Sequence, residues 1–460
     1  MGDGVAGSTG QRDARRLAIQ IGFCFDFPMP FGGPRSTILS RFSRVTSTGR
    51  FVPEIDGLRF VAILAVLLFH LGINLASRNA TDYAYPLPGN ALHTVIRAGD
   101  FGVQLFFIVS GIVLALPFAR HHLRGGPRVS LGSYFLRRVT RLEPPYMVAM
   151  IGSFVILVVL HGRPASDLLP HLAASLGYLH TPVYGTDSLI NNVAWSLEVE
   201  IQFYLLVPWL TGLFAIRRAR TRRGVMALVI VAASVVGPAL AATSPHLGNT
   251  LLRFGQYFLV GFLLADLMTT ESLRPARRSL GWDGVVVVGA VLVVMLRTGT
   301  GLARWLPGPA GLQEVLALVL LPWVCLAAYV GVFRGRVLNH ALTWPFVTTI
   351  GGMCYSIYLL HNVILNNTLF ATKNLAPTGI YALDFALQAA IMLPLCVLVA
   401  AVFFVLIERP CMDKNWPRKL RDRAVARLAP TPGIHAAGLA EAPRRSEAGS
   451  AEGEQAERRR

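Results

Sequence analysis

The sequence predicts an all-α, polytopic integral membrane protein with about ten transmembrane helices and both termini in the cytoplasm. Three observations indicate this fold class: composition, the length of the apolar segments, and the distribution of basic residues. Of the 460 residues, 53% are hydrophobic and only 15% are charged, whereas a soluble domain carries about 25% charged residues. This composition excludes a disordered chain and a simple soluble enzyme.

Ten apolar segments approach the roughly 20 residues that a helix needs to cross a bilayer. The seventh is the shortest, and together they occupy close to half of the chain. They cover roughly residues 57–76, 99–118, 144–161, 193–214, 224–242, 250–268, 283–297, 310–332, 345–367 and 383–407. We therefore expect a disordered leader over 1–50, a transmembrane domain over 51–411 and a basic, largely disordered tail over 412–460.

The basic residues predict the orientation of the spans. The even-numbered connections hold 16 arginines, and the odd-numbered ones hold 5 basic residues. Because cytoplasmic loops are enriched in Lys and Arg, the even connections and both tails should be cytoplasmic, in the plasma (inner) membrane. Most of the net charge of +18 is then an orientation signal, and no nucleic acid partner is required.

Ionisable side chains inside spans mark functional candidates, since each costs at least ~2.5–3.5 kcal/mol to insert. The first span contains Arg59 and, about 16 Å further along the helix axis, His70. The fourth span contains Glu198 and Glu200 at nearly the depth of His70. Because these glutamates are two residues apart, only one of them should face His70. The alternative for both glutamates is a structural hydrogen bond between helices.

Three further groups have a functional and a structural interpretation. Arg137, Arg138 and Arg141 either clamp phosphates from the cytosol or serve only as topology signals. Ser110 lies mid-span, where small residues most often permit close helix packing. His361, near the outer end of the ninth span, either anchors the interface or faces an acceptor. Neither the cysteine spacing nor any HExxH or CxxC motif indicates a metal site.

The sequence resembles the acyltransferase family 3 membrane proteins over about residues 52–411. Six motifs occur in the order found in that family, and any one alone would be weak. They are Asp56-Gly57-Leu58-Arg59 with His70 after ten intervening residues, Phe106–Gly111 (FFIVSG), Arg138–Pro144 (RVTRLEP), Trp195–Tyr204 (WSLEVEIQFY), Tyr355–His361 (YSIYLLH) and Glu408-Arg409-Pro410.

The resemblance implies that an acyl group is taken from cytoplasmic acyl-CoA, with acetyl as the leading candidate. The implied acceptor is a hydroxyl at the outer face, on a surface polysaccharide, peptidoglycan or a macrolide sugar. It also implies that His70 is catalytic, Arg59 essential and the Arg138–Arg141 element directed toward coenzyme A. The residues expected to support the site or face the acceptor are Ser110, Trp195, Glu198, Tyr204, Tyr358 and His361. Neither the resemblance nor the residues specify an oligomeric state.

Two mechanisms and a second function stay open. In the first mechanism, neutral His70 removes the acceptor's proton while Glu200 orients the ring. In the second, His70 takes the acyl group covalently and passes it on. The competing function is a transporter or flippase of a lipid-linked sugar or metabolite. It would predict inverted repeats with paired charges in two halves of the chain, and neither is visible.

Overall fold

The computed structural model describes residues 51–77, 90–270, 278–298, 308–372 and 378–413, together with 273, 375, 416, 418 and 421. The predicted leader over 1–50 and nearly all of the predicted tail over 412–460 lie outside these residues. Within them the chain is helical throughout, apart from connecting turns and one isolated bridge between Ser279 and Gly335. The predicted all-α class is confirmed.

The helices include long spans and several short connecting elements. Five short turns of other helical types lie at 98–101, 192–194, 211–215, 369–371 and 404–408. The α-helices in chain order are α1 Pro53–Ser77, α2 Ala91–Arg97, α3 Gly102–Arg124, α4 Leu131–Val159, α5 Ala165–Leu176, α6 His180–Tyr184, α7 Trp195–Leu210, α8 Ala219–Ala241, α9 Pro245–Gly248, α10 Leu251–Thr269, α11 Leu280–Arg297, α12 Ala310–Arg334, α13 Val337–Leu342, α14 Pro345–Gly352, α15 Cys354–Thr368, α16 Tyr381–Phe403 and α17 Arg409–Cys411.

Nine of the predicted spans correspond to continuous helical segments that are long and apolar enough to cross a membrane. The remaining one, predicted over 345–367, is a pair of helices, α14 and α15, bent by 69°. A packing constraint accompanies the bend. A Cβ atom added to Gly351 would lie 1.8 Å from the carbonyl oxygen of Asp56, so only glycine lets α14 approach the start of α1 this closely. The described chain is therefore that of a multi-pass membrane protein.

Helices α3 and α10 cross in close contact at two glycines. A Cβ on Gly111 would lie 2.3 Å from the carbonyl oxygen of Phe258, and one on Gly261 would lie 2.4 Å from that of Ile108. Because lipid supplies no hydrophobic drive between helices, such close backbone approach stabilises the pair through van der Waals contact. Phe258 also stacks on Phe107 from α3. The span that contains α3 is the most buried of the nine continuous spans described, with 72% of its apolar window buried.

Two arginines of the run at 217–223, predicted as a topology signal, also have a structural role. Arg222 on α8 is 2% exposed, and its Nε donates to a carboxylate oxygen of Asp266 on α10. Arg223 donates to the other oxygen of Asp266 at 2.7 Å. A buried carboxylate is tolerated when its charge is paired and hydrogen-bonded, so this cluster joins α8 to α10 at the arginine-rich side of the bundle.

Candidate active site

A partly open cavity lies among α1, α3, α4, α7, α14, α15 and the 404–408 turn, and the empty space in the cavity and its mouth is about 840 Å³. Its two ends differ in chemistry. We call the end lined by Arg59, Arg138 and Arg141 the arginine end. The opposite end is lined by Phe106, Ser196 and Tyr358, and we call it the histidine end because Tyr358 contacts His361 there.

The three arginines at the arginine end differ in their contacts. Arg59 donates from Nη1 to Asp56 Oδ1 at 2.5 Å. Arg138 lies over the ring of Tyr204, with 5.7 Å between Cζ and the ring centroid. The buried Nε of Arg141 has no hydrogen-bond partner among the described residues. Unpaired buried donors are costly, so the arginine end is suited to an anion.

Arg137 does not belong to this group. Its side chain is exposed, and the described residues that line the cavity do not include it. Adjacent residues on a helix point about 100° apart, since the helix has 3.6 residues per turn. Arg138 and Arg141, at a spacing of three, share the face of α4 that meets the cavity, and Arg137 points away from it. The predicted set of three arginines is therefore divided by the structure.

Glu408 is a cavity residue that sequence analysis recognised only as part of a motif. Its Oε2 accepts hydrogen bonds from Ser356 N at 3.1 Å and Ser356 Oγ at 2.5 Å, in the first turn of α15. Carboxylates are favourable near helix N-termini because they meet the unsatisfied N–H groups there. The side chain is 1% exposed. Glu408 thus caps α15 at the bend and brings a negative charge to the arginine end.

Glu200 lies between the two ends of the cavity and is bound by its neighbours. Its Oε1 accepts a hydrogen bond from Ser110 Oγ at 2.6 Å and another from the Tyr204 hydroxyl. Ser110 therefore links α3 to α7 by a hydrogen bond rather than acting only as a small packing residue. Because Arg138 lies over the same Tyr204 ring, Glu200 is connected to the arginine end.

His70 is paired with His361. The Nδ1 atom of His70 lies 3.0 Å from the Val66 carbonyl oxygen and 3.3 Å from His361 Nε2. His361 Nδ1 lies 2.7 Å from the Tyr358 carbonyl oxygen. Because a carbonyl can only accept, the hydrogen bonds assign a proton to Nδ1 of each neutral ring. His361 Nε2 then accepts from His70, and the lone pair of His70 is on Nε2.

The contacts of these two histidines differ from those expected. We expected one glutamate to face His70, with Glu200 orienting the ring, yet His70 is hydrogen-bonded to Val66 and His361 instead. The Oε1 atom of Glu200 accepts from Ser110 and Tyr204. An interfacial anchor was one interpretation of His361, but its side chain is fully buried.

A row of hydrogen-bonded asparagine side chains, which was not predicted from the sequence, extends to the histidine end. Asn74 Nδ2 donates to the His70 carbonyl oxygen at 2.9 Å and to Asn362 Oδ1 at 3.0 Å. Asn362 Nδ2 donates in turn to Asn192 Oδ1 at 2.6 Å. Asn74 and Asn362 are buried. The signal that could have found them is the occurrence of amide side chains next to His361 and one turn after His70.

Two residues of the fourth span support the site without lining the cavity. Glu198 accepts hydrogen bonds from the backbone N–H groups of His180 at 3.1 Å and Thr181 at 3.0 Å. It therefore caps α6, which is the structural role considered for it. Trp195 packs its ring against Phe254, with 5.2 Å between centroids.

In α6, outside the spans, burial lowers the pKa of His180, although its hydrogen bond to the Thr186 carbonyl oxygen opposes the shift.

The chemistry available at the site is acid–base and electrostatic. Within the described residues, no group of three or more His, Cys, Asp or Glu side chains is arranged to hold a metal ion. Guanidinium groups line one end of the cavity. The neutral imidazole of His70, with a lone pair on Nε2, lies beyond the other end. Such a histidine can remove a proton from a hydroxyl.

Comparisons with known proteins agree on one family. Residues 52–407 match an acyltransferase domain family. An acyltransferase from Streptomyces mycarofaciens, MdmB, is 25% identical over 83% of this chain and 95% of its own length. The O-acetyltransferase OatA of Staphylococcus aureus is 22% identical over 80% of this chain and 58% of its own. A putative peptidoglycan O-acetyltransferase from Bacillus subtilis, YrhL, is 26% identical over 70% of this chain and 49% of its own.

The family assignment follows from the extent of the match. The matched segment includes α1 to α16 and every residue that lines the cavity except Glu408. The chain spans about half the length of OatA and YrhL and nearly the whole of MdmB. No solved structure matches the chain. The chain belongs to the acyltransferase family 3 membrane proteins and is an acyl-transferring enzyme.

Proposed function

We propose that this enzyme transfers an acyl group, in the first place acetyl, from acyl-CoA to a hydroxyl of a sugar or glycan. The observation that carries the proposal is the polarity of the cavity. One end presents guanidinium groups, and a histidine with a free Nε2 lone pair lies beyond the other. The names of OatA and YrhL, which describe O-acetyltransferases, support hydroxyl acylation.

Coenzyme A fits the arginine end on chemical grounds. Its phosphates are anions, and a guanidinium donates two parallel hydrogen bonds to a phosphate. Arg141 has a buried Nε without a partner among the described residues, and Arg138 stacks on Tyr204. With the phosphates at the arginine end, the pantetheine arm would extend past Glu200 toward Tyr358 and bring the thioester to the histidine end.

His70 acts as the general base in the proposed reaction. Its Nε2 removes the proton from the acceptor hydroxyl, whose oxygen attacks the thioester carbonyl carbon. The carbon–sulfur bond then breaks, and the proton passes from His70 to the leaving thiolate. The imidazolium formed in between is stabilised by two acceptors on Nδ1–H, the Val66 carbonyl oxygen and His361 Nε2. His361 therefore takes the orienting role that we had expected of Glu200.

The orientation follows from the charge distribution of the connecting segments. We propose that the arginine end faces the cytoplasm, where acyl-CoA is available, and that the histidine end faces the opposite side of the plasma membrane. Both chain termini are then cytoplasmic, as the positive-inside rule predicts. The acceptor would approach His70 from the outer side.

The decisive experiment replaces the proposed base. Membranes containing His70→Ala are incubated with labelled acetyl-CoA and a cell-envelope fraction, and label in glycan is measured. We expect transfer to fall about 10²–10⁴-fold, the usual contribution of a general base. His340→Ala, which changes an exposed histidine on α13, is the matched control and should retain transfer. Full transfer by a folded, inserted His70→Ala protein would refute the proposal.

A single-turnover experiment distinguishes the covalent mechanism from direct transfer. Without acceptor, the direct mechanism leaves acetyl-CoA intact and forms no acyl-enzyme. Acetyl-histidine trapped on the protein by acid quench and detected by mass spectrometry would establish the covalent route instead. The transporter alternative has no comparable support, because the chain belongs to an acyltransferase family.

A further inference from the structure

Two aromatic rings separate the cavity from the histidine pair. Phe106 and Tyr358 line the cavity, whereas the described lining residues include neither His70 nor His361. The centroid of the Tyr358 ring is 6.0 Å from that of Phe106 and 5.6 Å from that of His361. Tyr358 therefore contacts both the cavity and His361, and Phe106 lies beside it.

The two rings are held differently. The Tyr358 hydroxyl donates to the Val193 carbonyl oxygen at 3.0 Å and lies 2.6 Å from Ser196 Oγ. Its backbone carbonyl accepts the hydrogen bond of His361. Moving this ring would break buried hydrogen bonds, which is costly. Phe106 has no polar group in its side chain and is only half-buried, so its volume can change without breaking a hydrogen bond.

We propose that Phe106 and Tyr358 set the longest acyl chain that the enzyme transfers. Tyr358 is the fixed wall of the passage, and the volume of Phe106 sets its width. The inference rests on the proposed function, in which the thioester approaches His70 from the arginine end. For reaction, the atoms must come within about 3–3.5 Å, so the acyl chain has to fit beside these rings. One extra methylene against such a wall changes the rate by about 10–200-fold.

The residue that offers a matched control is Val113. It lies on α3 seven residues after Phe106, on the same helix face and about 10 Å closer to the arginine end. It also lines the cavity. In the proposed binding mode it would contact the pantetheine arm, which is common to all acyl-CoA donors. Enlarging the cavity there should leave the choice between acyl groups unchanged.

The test is a competition between donors. Membranes with the wild type, Phe106→Ala, Phe106→Leu or Val113→Ala receive equal concentrations of acetyl-CoA and isovaleryl-CoA with a cell-envelope fraction. The ratio of isovaleryl to acetyl groups transferred is measured by mass spectrometry, after subtraction of a His70→Ala background. A ratio within one sample does not depend on the amount of folded enzyme, so partial misfolding of a variant does not affect it.

We expect Phe106→Ala to raise the isovaleryl-to-acetyl ratio at least tenfold. Phe106→Leu, which removes less volume and keeps the proposal testable if the alanine variant does not fold, should raise it less. Val113→Ala should keep the wild-type ratio, whatever its total rate. An unchanged ratio in both Phe106 variants, or an equal rise in Val113→Ala, would overturn the inference while acetyl transfer by the wild type continued to support the function. A wild type that transfers neither group would overturn the proposed function and this inference with it.

Discussion

The two ends of the cavity differ in how far their buried polar groups are hydrogen-bonded. At the arginine end, the buried Arg141 Nε lacks a partner among the described residues, and Arg138 makes a cation–π contact. At the histidine end, His70 is hydrogen-bonded to His361, and Asn74 joins the His70 carbonyl oxygen to Asn362. A buried donor without a partner favours binding of a ligand that can accept its hydrogen bond, whereas hydrogen-bonded groups hold their side chains in one orientation. In the proposed reaction, the first end binds the acyl donor and the second end carries out the proton transfer.

The largest effect after loss of the base is expected at the arginine end. Arg138→Ala and Arg141→Ala should each raise the KM for acetyl-CoA about 10–100-fold, because a hydrogen bond to a charged group contributes about 1.5–3 kcal/mol. Their kcat should change little. Arg137→Ala is the matched control, since its exposed side chain does not line the cavity. Steady-state kinetics in membranes measures both constants, and an equal rise in KM for Arg137→Ala would contradict the assignment.

His361 should behave in the opposite way. His361→Leu removes the acceptor from His70 Nδ1–H, and we expect kcat to fall about tenfold or more with an unchanged KM for acetyl-CoA. His361→Gln restores an acceptor oxygen and should recover part of kcat. Equal losses in the two variants would indicate that His361 serves only to fill space. The same kinetic assay applies.

A substitution at Glu200, which lies between the two ends, tests whether binding and chemistry are separate functions of the two ends. Its carboxylate contacts Ser110 and Tyr204, so Glu200→Gln should disturb Tyr204 and the Arg138 that stacks on it. We expect a rise of about threefold to tenfold in the KM for acetyl-CoA, corresponding to about 1 kcal/mol from one hydrogen bond, with kcat nearly unchanged. A loss of kcat comparable to that of His70→Ala would restore the original expectation that Glu200 orients the base.

The smallest effect concerns α6, which Glu198 caps. Burial lowers the pKa of His180 below its usual 6.5, and its Nε2 lies 2.9 Å from His171 Nδ1. The unfolded chain binds this proton more readily, so stability should fall as the pH drops below about 6.5. The Tm advantage of the wild type over His180→Gln should therefore shrink between pH 7 and pH 5. A constant difference would show that His180 does not titrate there.

The spans and the separation of charges were predictable because they depend on local composition. Hydropathy identified nine continuous spans and the segment containing the tenth, and the cost of burying charge singled out His70. Pairing across helices was not predictable in the same way. Two side chains at equal membrane depth can face any of several neighbours, and the choice between Glu200 and His361 for His70 depended on how α3, α7 and α15 rotate.

The bend between α14 and α15 was also invisible to hydropathy. An average over about 20 residues does not distinguish a straight helix from two helices that meet at Met353. The contacts that accompany it are tertiary: Gly351 packs on the Asp56 carbonyl, and Glu408, more than fifty residues later, caps α15. Glu408 was recognised within a motif, yet its role needed the position of a helix N-terminus that the sequence alone does not reveal.

The capping of α15 by Glu408 also has a consequence for the order of biogenesis. Segment 345–367 leaves the ribosome and enters the bilayer before the last span exists, so at that stage its bend lacks the carboxylate that satisfies Ser356. The lining of the cavity is complete only when Glu408 has been made, because this residue forms part of it. A nascent chain therefore holds Arg138 and Arg141 early but acquires the complete cavity lining only after residue 408 has been made. This timing ties activity to completion of the membrane domain.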